Sequence, residues 1–109
     1  MGTISINIYK ANDKSKIDKT LTVNGYDLMM GTVEDFMAII DVDKLDDQME
    51  IAKMVIKGYS QIKPLLMDVF PELTEDDFRN IKVSELVQTI TQMGLAVVDN
   101  LKVLNTGKN

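Results

Sequence analysis

The residue types best placed to do chemistry in this chain are carboxylates. Asp41, Asp43, Asp46 and Asp47 fall within one short segment, and hard cations such as calcium are held by several oxygens from a single loop. The spacing argues against that use. An EF-hand loop needs Asp or Asn at its fifth position and Gly at its sixth, and counting from Asp41 those positions hold Leu45 and Asp46. The cluster is read instead as a solvated helix-to-helix link. Glu72, Glu75, Asp76 and Asp77 are read as charge at a helix N-terminus, where the dipole favours acids. The chain has no His and no Cys, which removes the commonest general base, the thiolate nucleophile and the usual transition-metal ligands. No glycine-rich phosphate loop, Ser-Lys pair or framed pair of catalytic carboxylates is recognisable. The expectation is a protein with no catalytic residues, no cofactor and no metal, which acts by binding other proteins.

Such binding surfaces depend on the elements that hold them. Ile4, Ile6 and Ile8 alternate with Ser5, Asn7 and Tyr9, the period of a half-buried strand, which predicts strand over 3–10. The turn-forming run from Ala11 to Ser15 interrupts the pattern. Ile17, Lys19, Leu21 and Val23 resume it, giving a β-hairpin over 1–26. Asn24-Gly25 is a turn signal that could lead into a short third strand. Thr32 with Asp35 predicts a capped helix start, with Val33, Phe36, Met37 and Ile40 on one face. From about Asp46 a longer helix sets Ala52, Val55, Ile56, Tyr59 and Ile62 on one side. Pro64 predicts a kink or restart at Lys63, and Pro71 an end. Thr74 with Asp77 predicts a second capped start, for a short helix through Phe78 to about Ile81. Ser84 is placed as the cap of the last helix, whose face is Leu86, Ile90, Met93, Val97, Leu101 and Leu104, flanked by Val87, Gly94 and Val98. Gly58 and Gly94 each cost about 1 kcal/mol against Ala inside a helix, which predicts close helix crossings there. The expected fold class is α+β, an N-terminal β-hairpin packed on a bundle of four to five α-helices. It forms a single domain over 1–104, with its helical part at 32–104 and a flexible tail at 105–109.

Hydrophobic residues make up 45% and charged residues 27% of the 109 positions, enough for one modest core. No apolar run approaches the roughly 18–20 residues that span a bilayer, and no basic segment precedes an apolar one at the start. The expectation is a cytoplasmic protein with no membrane partner. Net charge is −5, and residues 27–50 hold eight acids against Lys44 alone. That block repels phosphate and argues against nucleic acid as a main partner. Eight methionines are present. Core filling is their default role, but a flexible thioether also lets a surface adapt to several partner shapes. Met29, Met30 and Met67 lie next to turns and are expected at the surface. With Asp43, Asp46, Asp47 and Met49 of the acidic link they form the expected protein-binding set.

Taken in order, Gly25-Tyr26-Asp27-Leu28-Met29, Gly31-Thr32-Val33-Glu34-Asp35, Ala52-Lys53-Met54-Val55, Lys63-Pro64-Leu65-Leu66, Val69-Phe70-Pro71 and Leu73-Thr74 resemble the tail assembly chaperones of siphophages and prophages of Gram-positive bacteria. The likeness spans nearly the whole chain and rests on packing and capping motifs. It implies a factor of the bacterial host cytoplasm, absent from the mature virion. Such a factor binds the tape-measure protein, keeps it soluble and helps recruit tail-tube protein subunits; self-association is compatible with that role. The family is also made in a longer form by ribosomal frameshifting, and Gly107-Lys108-Asn109 could be encoded by the slippery run GGA-AAA-AAC. The competing expectations are a structural virion component, such as a head-tail connector or completion protein, and a small carboxylate-based enzyme or ligand-binding domain.

Overall fold

The computed structural model describes residues 2–106. Strands β1 (Thr3–Lys10) and β2 (Asp13–Asn24) pair antiparallel as a two-stranded sheet. The pairing is regular from Thr3↔Asn24 to Ile8↔Lys19 and shifts on both sides of Tyr9↔Ile17. The turn is confined to Ala11-Asn12, so β2 begins earlier than the turn-rich composition of 11–15 suggested. Asp13 accepts from the Ser15 N–H at 3.1 Å, which keeps those polar residues satisfied within an irregular strand.

No third strand follows among the described residues. The Asn24 carboxamide accepts from the Tyr26 N–H at 2.9 Å, and Gly25–Asp27 form one 3-10 turn instead. Helix α1 (Met30–Ile39) then starts with Met29 as its N-cap, without a side-chain cap. The Thr32 cap expected from sequence is therefore overturned: the extended backbone at Leu28 and Met29 lets the helix begin before Thr32 is reached. A second 3-10 turn, Val42–Lys44, leads to α2 (Gln48–Lys57), capped by Asp47, whose carboxylate accepts from Glu50 N at 3.2 Å.

The long helix expected from Asp46 is split at Gly58 rather than at Pro64. The Gly58 N–H closes α2 on Met54 O at 2.8 Å, while its carbonyl accepts from Gln61 and Ile62 as α3 (Tyr59–Val69) begins. Pro64 lies inside α3; the carbonyl its missing N–H would have met belongs to exposed Ser60, where water can serve. The break also resets the helical phase. Ile51, Val55 and Ile62 are buried, whereas Ile56 and Tyr59, expected inward, are exposed.

Helix α4 (Glu75–Phe78) carries the predicted capping box between Thr74 and Asp77. Helix α5 (Val83–Thr106) starts one residue before Ser84, so that serine lies in its first turn and does not cap it. The helix continues past the expected end at Leu104 to Thr106; residues 107–109 and the side chain of Leu104 lie outside the description. Leu86, Ile90, Met93 and Val97 are buried as the spacing required, and Leu101 is exposed.

One core joins the Ile4, Ile6 and Ile8 face of β1 to Phe36, Ile51, Leu66, Phe70, Ile90 and Met93 of the helices. Helix α5 also holds β1 through hydrogen bonds. Ser5 N–H donates to Gln92 Oε1 at 2.9 Å and the buried Thr89 hydroxyl donates to Ser5 O at 2.8 Å. The N-terminal hairpin, the helical bundle and their common core are those of an α+β protein. No described helix is long and apolar enough to cross a membrane.

Candidate functional site

Helix α1 packs against α3 because Val33, Phe36 and Ile40 face inward at helical spacing and meet Leu65, Leu66 and Val69. The seam between them stays open on its outer side. Two cavities lie along it, of about 420 and 330 Å³, and Asp68 lines both. The first is bounded by Val23 of β2, Leu28, Met29 and Val69, with Asp27 at its edge. The second is bounded by Ile39, Pro64 and Leu65, with Asp35 at its edge. The result is one apolar groove carrying three carboxylates, and no Lys or Arg lines either cavity.

The methionines favour the same region. Of those whose side chains are described, Met93 is buried, and Met54 and Met67 are half-buried. Met29 is 73% exposed and Met30 74%, while Met37 and Met49 are also exposed. Met30 and Met37 are seven residues apart on α1 and so share a face. Exposed Tyr26 precedes them in the 3-10 turn, which the Asn100 side chain of α5 fixes by donating to Gly25 O at 3.1 Å.

The seven residues expected to bind partners do not form one site. Met29 lines the groove, and Met30 follows it on α1. Asp43, Asp46, Asp47 and Met49 are exposed on the link and first turn of α2, beyond the opposite end of α1; ten helical residues separate the two groups by about 15 Å. Met67 is packed against the core rather than displayed, because α3 runs unbroken through Pro64 and carries it onto the partly covered side. Among the described residues, no three of the acidic side chains converge closely enough to hold a metal ion. Asp41 and Asp47 use their carboxylates locally, accepting from Asp43 N and Glu50 N.

Sequence reasoning missed Asp35, Asp68, Ile39 and Met37. Asp35 was assigned to capping and Met37 to the core face. Asp68 is the one charged residue in the run from Leu65 to Phe70, a signal that it faces solvent but not that it faces Asp35.

Elsewhere, polar contacts tie the hairpin to the helices. Lys19 Nζ lies 2.9 Å from Asp77 Oδ2. Burial would raise the Asp77 pKa, but Lys19 and the Thr74 N–H and hydroxyl outweigh it and hold the carboxyl below its ordinary value. The Asp77 hydrogen bond raises Lys19 in turn. Tyr9 donates its hydroxyl to Glu85, which raises the phenol pKa, and Lys82 Nζ stands 4.1 Å from the Tyr9 ring centroid. These groups are committed to one another and brace the fold. The open chemistry of the surface is the acid-lined apolar groove, which suits the nonpolar face of a peptide helix with basic flanks. Comparison with family models, curated proteins and solved structures finds no match to this chain.

Proposed function

We propose that this protein is a phage tail assembly chaperone, a non-catalytic factor of the bacterial host cytoplasm that binds the tape-measure protein, keeps it soluble and helps recruit tail-tube subunits. The observation that carries the reading is the α1–α3 groove, with an apolar floor from Leu28, Ile39, Leu65 and Val69 and carboxylates from Asp27, Asp35 and Asp68. A long coiled partner awaiting assembly exposes apolar helix faces that would aggregate. A groove about 15 Å long accommodates roughly ten residues of such a helix. The exposed methionines beside it adapt to successive, non-identical segments, as a chaperone for a long protein requires. The carboxylates select helices with flanking Lys or Arg and keep the unloaded chaperone soluble. The sequence resemblance points to the same role.

The test is co-expression with the tape-measure protein of the same genome. Soluble yield of that protein should rise and the two should co-purify. Leu65→Asp would remove the groove's apolar floor but also threatens folding, so the more informative variant is Asp68→Lys, at an exposed position. It should weaken co-purification while leaving the circular dichroism spectrum unchanged. A tape-measure protein that stays insoluble and unbound rejects the reading, and recovery of this chain in purified particles would favour a structural virion component.

A further inference from the structure

We propose that the basic cavity between the hairpin turn and the start of α5 binds a short acidic peptide segment of a partner protein, with one or two carboxylates beside an apolar side chain. The cavity has a volume of about 290 Å³, and its lining includes Tyr9, Lys14, Arg79, Ile81, Lys82 and Val83. Its charge is the reverse of the groove's, since three cations line it and no carboxylate does. The two share no lining residue. Val23 of the groove pairs with Ile4, and Tyr9 lies about 17 Å further along β1. The basic cavity is thus a separate surface and does not depend on the chaperone reading.

Local bonding leaves these cations available. Among the described residues the ion pairs use Lys16, Lys19 and Lys63, so Lys14, Arg79 and Lys82 line the cavity without a carboxylate partner. The neighbouring acids are already engaged: Asp13 accepts from Ser15, and Glu85 from Asn7 and Tyr9. Lys82 Nζ stands 4.1 Å from the Tyr9 ring centroid, a contact that orients the ammonium without removing its charge. The backbone is fixed as well, because the Tyr9 N–H donates to Asn80 O at 2.9 Å and the Asn80 N–H to Asp77 O at 2.9 Å. Ile81 packs against the core, whereas Val83 is 66% exposed. An apolar lining with three unpaired cations is complementary to an apolar side chain flanked by carboxylates. The adjoining cavity limits the length of the occupant. It shares Tyr9 and Asn80 and is lined by Asp18, Asp76 and Asp77 against Lys10 alone. Those acids end the basic surface and repel the continuous charge of a nucleic acid, so the occupant carries its charge within one short segment.

The test is an amide NMR titration of the full chain with the synthetic peptide acetyl-Gly-Asp-Phe-Asp-Gly-amide. The amides of Tyr9, Lys14 and residues 79–83 should shift and saturate with a Kd on the order of 1 mM or tighter, while those of Leu28, Met29 and Leu65 in the groove stay in place. Arg79 is exposed and its side chain makes no hydrogen bond or ion pair among the described residues, so Arg79→Gln should fold normally. It should weaken binding about tenfold, the loss of one charge-assisted contact, and Lys82→Gln should do the same. Lys57→Gln makes the same change in net charge at an exposed position on α2 and should weaken it less than about twofold. The peptide with Asn in place of both Asp residues should not bind. Absence of shifts at about 10 mM peptide, equal losses in Arg79→Gln and Lys57→Gln, or equal binding of the Asn peptide overturns the proposal. An oligothymidylate that moves the same amides at lower concentration than the peptide overturns it too, by assigning the cavity to nucleic acid.

Discussion

Gly94 lies in the middle of α5, where alanine would favour helix by about 1 kcal/mol. A Cβ built there would stand 2.3 Å from Leu45 Cδ2, 2.9 Å from Cδ1 and 3.1 Å from Cγ. All three outer carbons of Leu45 are in the way, so turning the isobutyl group exchanges one methyl for the other without clearing the space. Leu45 must swing about its Cα–Cβ bond out of its packed position, or its turn or α5 must shift. Overpacking of this kind costs about 1–3 kcal/mol. Taking about 2 kcal/mol and subtracting the propensity gain, Gly94→Ala should destabilise by about 1 kcal/mol and lower Tm by about 4 °C. In a Leu45→Ala background the obstruction is gone and the same substitution should stabilise by about 1 kcal/mol. The coupling in the double-mutant cycle is then about 2 kcal/mol, and the sign of Gly94→Ala reverses between backgrounds. Urea denaturation of the four proteins measures it. If Gly94→Ala has the same effect with Leu45 and with Ala at position 45, the link does not rest on α5 and the reasoning fails.

Phe36 is fully buried at the α1–α3 seam, and Phe36→Ala should cost about 3–5 kcal/mol, seen as a collapse of the thermal transition; a loss under 1 kcal/mol would mean α1 is not part of the core. Thr74→Ala removes one arm of the capping box and should cost about 1 kcal/mol by urea denaturation, with no change expected in tape-measure binding. The Asp77 carboxyl titrates below its ordinary value of 3.8, so its contribution is complete above that pH and is lost as pH falls through the lower folded value. Asp77→Asn should accordingly flatten the fall in stability between about pH 5 and pH 2, and an unchanged acid limb would remove Asp77 from that account. Tyr9 is raised above 10.0, which places its contribution below that pH and its loss in the alkaline range; Tyr9→Phe should abolish that part of the alkaline fall, followed by the same denaturation assay.

The hairpin and the last helix were legible because their signals are periodic and local. Ile4, Ile6 and Ile8 need only a period of two, and Leu86, Ile90, Met93 and Val97 only a helical one, and each set is buried in one core. The break between α2 and α3 was read at the wrong residue. Pro64 is the stronger sequence signal, but a missing N–H does little harm where the unpaired carbonyl is exposed, whereas Gly58 closes one helix and opens the next through three backbone hydrogen bonds. Once the chain breaks at Gly58, the inward face after it is set by Ile62, Leu65 and Leu66 and Tyr59 is left outside, whereas Ile56, before the break, lies off the inward stripe that Ile51 and Val55 set on α2. Gly94 was correctly singled out as a close approach, but the approaching element is an irregular turn through Leu45, for which helical spacing carries no information.

The groove was less legible than the core for a reason that applies to any surface assembled from distant segments. Asp27, Asp35 and Asp68 are each unremarkable where they stand in the chain, and only the packing of α1 on α3 sets them along one seam. Met29 and Met30 were recognisable because they border a turn; Met37 was not, because a methionine at core spacing is ordinarily core. Its exposure follows from the width of the buried stripe. Val33, Phe36 and Ile40 already satisfy the contact with α3, and the next position round the helix opens to solvent. A helix that needs only three inward residues yet carries methionine on its outer face has apolar surface beyond the needs of its own core. Substituting both Met30 and Met37 by Gln should therefore leave Tm within about 2 °C of the parent while weakening tape-measure binding. A large drop in Tm would assign these methionines to folding and remove them from the binding surface.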